Sequence, residues 1–244
     1  MVHELWFTAI LNKILGAPVA ALLSELGLPP ANAAHPIPNY FAMELVVALV
    51  ILTGAIVLRG RLAVERPGKF QHLMEAVVGF TRGLNNDLIG HGSERYVAIV
   101  GTLGVFVLFS NLLGLIPTFE TPTGSVPVTL GCAVVAFLYY NFQGVREHGV
   151  LGYVKHLCGP MLIIAPLMLP IEIFSNLFRM LSLTARLWAN MFVGPVLEGI
   201  FTGLIPVVVP SLFMGLHIFV SFLQAYVFML LPAVYISFAV AKEH

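Results

Sequence analysis

Between Met161 and Ile205 the chain reads MLIIAPLMLPIEIFSNLFRMLSLTARLWANMFVGPVLEGIFTGLI. A helix of that length measures roughly 67 Å at 1.5 Å per residue, whereas the hydrocarbon of a bilayer is about 30 Å thick. The segment is too long for one upright crossing, so it tilts, bends or begins outside the membrane. Composition agrees: of 244 residues, 59% are hydrophobic and 10% charged, against roughly 25% charged in a soluble domain. Twelve Lys and Arg balance twelve Asp and Glu, which leaves no basic face for nucleic acid. Cys132 and Cys158 are too few for a disulfide framework and lack metal-site spacing. A soluble enzyme, a nucleic-acid binder and a secreted scaffold are excluded. What is left is an all-α polytopic membrane protein.

Working outward, apolar stretches long enough to cross lie at residues 40–58, 97–117, 126–142, 161–205 and 211–241, with a turn between Pro206 and Pro210. The last two form long, tilted, antiparallel helices. Arg59, Arg61, Arg66, Lys69, Arg82 and Arg95 fill the first loop, Arg146 and Lys155 the third, and Lys242 the tail; the intervening turns carry no basic residue. The positive-inside rule then puts the N-terminus outside and the C-terminus in the cytoplasm. An odd number of crossings, five, likewise puts the two ends on opposite sides. Lys69 to Ile89 is amphipathic, with Phe70, Leu73, Val77, Phe80 and Leu84 at helical spacing, and reads as a helix at the cytoplasmic interface. Residues 1–39 mix an apolar run with Glu4, Lys13 and Glu25. They read as an extracytoplasmic interfacial segment, although Ala31-Asn32-Ala33 faintly resembles a signal-cleavage site. Residues 40–244 form a single transmembrane domain.

Function is read from where polar residues interrupt the fourth crossing. Glu172, Ser175, Arg179, Ser182, Arg186, Asn190, Gly194 and Glu198 follow at steps of three or four, within about 160° of a helix circumference. Arg186 is roughly 20 Å along the helix from either glutamate. A charge at the bilayer centre costs roughly 3 to 15 kcal/mol, and an arginine cannot shed its proton. Arg186 either pairs with a buried carboxylate, snorkels, or meets a counter-charge from another subunit. The last helix adds His217, Ser221, Gln224 and Tyr235 on one face. In an antiparallel hairpin Glu198 and His217 share a depth toward the outside, where a carboxylate and an imidazole can exchange protons. Glu172 and Ser175 form the matching opening toward the cytoplasm. Each also has a plainer reading: His217 as a structural hydrogen-bonder, Glu198 as a solvated side chain, Glu172 as an interfacial one. Together they describe two polar half-paths with a fixed positive charge between them.

Three stretches carry a resemblance: Asn111-Leu112-Leu113-Gly114-Leu115-Ile116-Pro117, Arg186-Leu187-Trp188-Ala189-Asn190-Met191, and His217-Ile218 with Gln224-Ala225-Tyr226-Val227-Phe228-Met229. With these three in order over residues 40 to 244, the chain resembles subunit a of the F-type ATP synthase. The resemblance implies a proton-translocating stator subunit in the cell inner membrane, partnered by the rotor ring of c subunits, the subunit b stalk and the remaining synthase subunits. It implies that Arg186 faces the ring and ionises its carboxylates, with Asn190 and Gln224 holding that arginine. Glu172, Ser175 and Ser182 fall on the cytoplasmic side of the path, and His217 on the outer side. Many bacterial members carry a carboxylate or histidine directly after the residue equivalent to Gly194; here Pro195 stands there and Glu198 follows one turn later. No cofactor, metal or nucleotide is implied on this chain, which lacks a glycine-rich phosphate loop. The competing readings are a stand-alone ion-coupled transporter, in which Arg186 binds an anionic substrate, and a membrane assembly protein with a structural stripe.

Overall fold

The computed structural model describes residues 5–25, 35–63, 67–90, 92–116, 119–158, 165–203 and 208–241. In chain order these form α1 (Trp6–Glu25), α2 (Asn39–Gly60), α3 (Lys69–Ile89), a 3-10 turn (Ser93–Tyr96), α4 (Val97–Leu113), a second 3-10 turn (Pro122–Gly124), α5 (Val126–Cys158), α6 (Ala165–Thr202) and α7 (Val208–Val240). Among the described residues there is no strand. The Pro206 end of the turn, Lys242, Pro117, Arg66 and Ala31-Asn32-Ala33 lie outside the described residues.

The surface is apolar. Leu52, Leu138, Phe178 and Leu212 are each at least 60% exposed, which water would penalise and lipid does not. Six helices are long and apolar enough to cross a membrane, α1 among them, so length and composition count one more than the five read from the sequence. α3 falls outside that set.

α7 is the hub, packing against α3, α4, α5 and α6. Toward its C-terminal end Met229, Ala233 and Ile236 bury against Tyr96, Val100 and Tyr140. Further back, Phe228 packs with Val107, Cys132, Leu183, Leu187 and Met191. α4 lies so close to α7 at Gly104 that any Cβ there would overlap the Met229 side chain. α3 turns a mixed face inward: Gln71, Thr81 and Asn85 are buried and Val77, Leu84 and Leu88 pack partly buried against the core, while Phe70, Leu73 and Phe80 are exposed. It lies on α4 and α7, with the Phe80 and Tyr226 rings 6.1 Å apart and the Ser237 hydroxyl donating to the Leu88 carbonyl at 2.7 Å.

α5 runs well past the stretch read at 126–142, through the polar residues Gln143, Arg146, Glu147 and His148, because the backbone keeps its helical angles as far as Gly149. There φ is +71°, a left-handed backbone that glycine adopts without strain. The chain then folds back so that the Tyr153 ring lies over Gly144 and its hydroxyl donates to Asn141 Oδ1 at 2.8 Å. Gly144→Ala would drive a methyl into that ring, and overpacking of this kind costs about 1–3 kcal/mol. We expect a lower thermal unfolding midpoint for the detergent-solubilised protein, and an equal fall for Gly131→Ala, where nothing lies within 4 Å of the added carbon, would refute the contact.

Candidate functional site

α6 is fixed in rotation by one buried seam. Asn176, Leu183, Thr184, Leu187 and Met191 face α5 and α7. The polar stripe is centred roughly 80° away round the helix, so its members end in different places. Ser182, Arg186 and Asn190 are exposed, Ser175 is half-buried, and Glu172, Arg179, Gly194 and Glu198 border cavities. Arg186 stands near the middle of α6, with Phe178 and Val193 exposed on the same side. Among the described residues no hydrogen bond or ion pair reaches its guanidinium. Neither Asn190 nor Gln224 bonds to it in this single chain. Gln224 is 1% exposed, and its Oε1 has no partner among the described residues.

On one side of Arg186 lies a cavity of about 840 Å³ between α6, α7 and the end of α4. Glu120, Glu198, His217, Ser211 and Pro195 line it, and a smaller pocket joins Asn190, Gly194, Glu198 and His217. His217 Nε2 lies 3.2 Å from the Asn111 carbonyl oxygen and donates to it in the tautomer protonated there. The Asn111 side chain accepts from Thr123 Oγ1 at 2.5 Å, and its amide nitrogen is buried with no partner among the described residues. Pro195 has no N–H, so the Met191 carbonyl four residues back loses its helical donor. Both residues line the larger cavity.

On the other side a cavity of about 310 Å³ lies between α5, α6 and α7. Glu172 Oε1 is 3.7 Å from Arg179 Nη2. Asn176 Oδ1 accepts from Tyr140 Oη at 3.1 Å and from Arg179 Nη1 at 3.4 Å. The Arg179 guanidinium sits over the rings of Tyr235 and Phe238, 5.4 and 5.8 Å from their centroids. Sequence reasoning left Arg179 without a role, although it stands on the stripe. It missed Asn176, one position off the stripe, and Tyr140 and Thr123, which nothing in the spacing distinguishes. Among the described residues no three His, Cys, Asp or Glu side chains gather as a metal site would require.

Residues 41–237, which contain the whole of α6 and all but the last turn of α7, match the family described as ATP synthase A chain. The chain belongs to this family. It is 47% identical to the ATP synthase subunit a of Koribacter versatilis over the whole of both chains. It is 46% identical to that of Solibacter usitatus over 96% of this chain and 99% of the relative. It is 36% identical to that of Campylobacter jejuni over 87% and 94%. In this ATP synthase A chain member the Thr123–Asn111 bond is fully buried. Thr123→Val keeps the shape and strands the Asn111 oxygen, a loss of about 1–3 kcal/mol. A lower unfolding midpoint for Thr123→Val, with Thr123→Ser close to the parent, is the expected result.

Proposed function

We propose that this chain, the proton-translocating stator subunit of an F-type ATP synthase, works through Arg186 as a fixed charge between two half-paths. The observation that carries the reading is an exposed arginine, midway along an apolar helix, without an anionic partner among the described residues. Left against lipid, such a charge costs at least about 3 kcal/mol. A carboxylate brought to it by a neighbouring subunit removes that cost, and the guanidinium in turn favours the ionised form of the acid. The c-subunit ring supplies those carboxylates one at a time, with subunit b and the other synthase subunits completing the complex. The larger cavity, with Glu198 and His217, is the outer half-path. The smaller cavity, with Glu172 and nearby Ser175 and Ser182, is the cytoplasmic one. Asn190 and Gln224 hold the arginine once the ring is in place. A stand-alone transporter would enclose Arg186 within its own fold, and an exposed Arg186 favours the stator.

The cycle follows from charge. A proton enters by the outer path and neutralises a ring carboxylate, which can then face lipid. After rotation that acid returns to Arg186, is deprotonated, and its proton leaves by the cytoplasmic path. Each elementary charge so moved delivers about 2.3 kcal/mol per 100 mV. Residues 40–244 act as one transmembrane domain with five crossings in the inner membrane, N-terminus outside. The outer location of α1 is supported by its ties. Asn12 exchanges two hydrogen bonds with the Ile37 backbone, at 3.2 and 2.9 Å, and the Leu5 amide donates to Asn39 Oδ1. All three hold α1 to the start of α2 rather than along it. α6, with 38 residues, is about 57 Å long, so spanning 30 Å alone tilts it by roughly 60° from the membrane normal.

In sealed inverted vesicles Arg186→Ala abolishes ATP-driven proton pumping while the complex assembles. Normal pumping by that variant would sink the reading. Arg186→Lys also fails, because an ammonium lacks the planar fork. His217→Ala slows uptake from the outer side during ATP synthesis, and so does Glu198→Gln; an unchanged rate with Glu198→Gln would remove that carboxylate from the path.

A further inference from the structure

Arg179 is the second arginine of the stripe, seven residues and about 10 Å of rise before Arg186, and on an ideal helix within about 20° of the same direction. Its environment is the opposite. Glu172 lies at 3.7 Å, Asn176 Oδ1 at 3.4 Å, and two aromatic faces cover it. Asn176 is itself 8% exposed and held by Tyr140, which is 3% exposed. Three helices thus cooperate to turn this guanidinium inward, whereas Arg186 is left outward. The groups facing Glu172 across the cavity are Arg179 on its own helix, Tyr140 and Tyr153 from α5, and Tyr235 from α7.

We propose that Arg179 is the positioning residue of the cytoplasmic half-path: it fixes the Glu172 carboxylate at the wall of the inner cavity, where it receives the outgoing proton, and the Asn176–Tyr140 tether keeps its own charge away from the ring. This rests on the proton-path reading above. The transfer balances simply. A ring carboxylic acid gives its proton to water in the cavity, the Glu172 carboxylate takes it to become a carboxylic acid, and bulk water on the cytoplasmic side removes it. Only the O–H bond changes partner at each step. A second free cation beside Arg186 would compete for the ring carboxylate and hold it after its proton had gone. Spending Arg179 on Glu172 and the aromatic faces leaves one arginine to act on the ring.

The test uses the whole complex in inverted vesicles, with rates normalised to assembled enzyme. The cytoplasmic face then meets the bath, so bath pH and lumen pH probe the two paths separately. Arg179→Gln slows ATP-driven pumping roughly tenfold, a size that misplacing one reacting group produces. It also alters the dependence on bath pH while leaving the dependence on lumen pH as in the parent. Arg179→Lys recovers part of the rate. Glu172→Gln with Arg179→Gln is no slower than the worse single variant, because one unit is removed twice. Multiplicative losses in the double variant, or an Arg179→Gln rate depressed equally at every bath pH, would overturn the proposal. Where Arg179→Gln does not assemble, Asn176→Ala, which cuts the tether alone, gives the same comparison. Pumping that survives Arg186→Ala refutes the stator mechanism itself, whatever Arg179 does.

Discussion

A guanidinium on an apolar surface, with no anion beside it among the described residues, is the constraint on which this architecture turns. Its direction is not set by Arg186. It is set by Leu183, Leu187 and Met191, each at most 2% exposed, which bury against Phe228, Val107 and Cys132. Rotating α6 to bring Arg186 inward would take about 100° and would break the close side-chain packing of that seam, which is what holds helices together where lipid offers no hydrophobic drive. It would also carry a charge into a layer without counter-charge. Packing therefore holds the arginine outward, in the position where the proposed ring carboxylate meets it.

The same helix carries a second arginine under the opposite rule. Arg179 is neutralised by Glu172 and covered by Tyr235 and Phe238. The difference originates in the neighbours rather than in α6. α5 supplies Tyr140, and α7 supplies the two rings at the level of Arg179. Arg186 is exposed instead, and no hydrogen bond or ion pair among the described residues reaches it. Two identical side chains two turns apart acquire different chemistry from what three helices place beside them.

Much of this was legible in the sequence, for reasons that differ by residue. The helix at Lys69–Ile89 follows from hydrophobic periodicity, and the start of α4 at Val97 from the onset of a charge-free apolar run. The stripe in α6 follows from its three-and-four spacing. Spacing could not separate the stripe's inward from its outward members, because that depends on the seam 80° away. Thr123 and Tyr140 come from other elements, and their roles exist only once α4 meets the 3-10 turn at Pro122–Gly124 and α5 meets α6. α5 exceeded the stretch read at 126–142 because a bilayer-length criterion counts apolar residues, whereas a helix continues until the backbone breaks. The mixed face that α3 buries belongs to the same class. An amphipathic helix has two faces, and only its neighbours decide which one is covered.

The two cavities are kept apart by the material between them. Along α6 the inner cavity reaches Arg179 and the outer one reaches Asn190, a gap of roughly 16 Å. Behind that gap stand Leu183, Leu187 and Phe228, at 0–2% exposure. An apolar layer of that kind does not hold ordered water, which needs two to four polar partners. On the proposed reading a proton thus has no wet route along this seam of described residues from one cavity to the other. Its remaining course runs over the outer face of α6, past Ser182, Arg186 and Asn190, where a permanent positive charge repels it as a free ion. It crosses only as the neutral acid of a partner that moves. Sealing the interior with hydrophobic packing and leaving one cation on the surface are therefore two parts of the same device, since either alone would give a leak or a dead end.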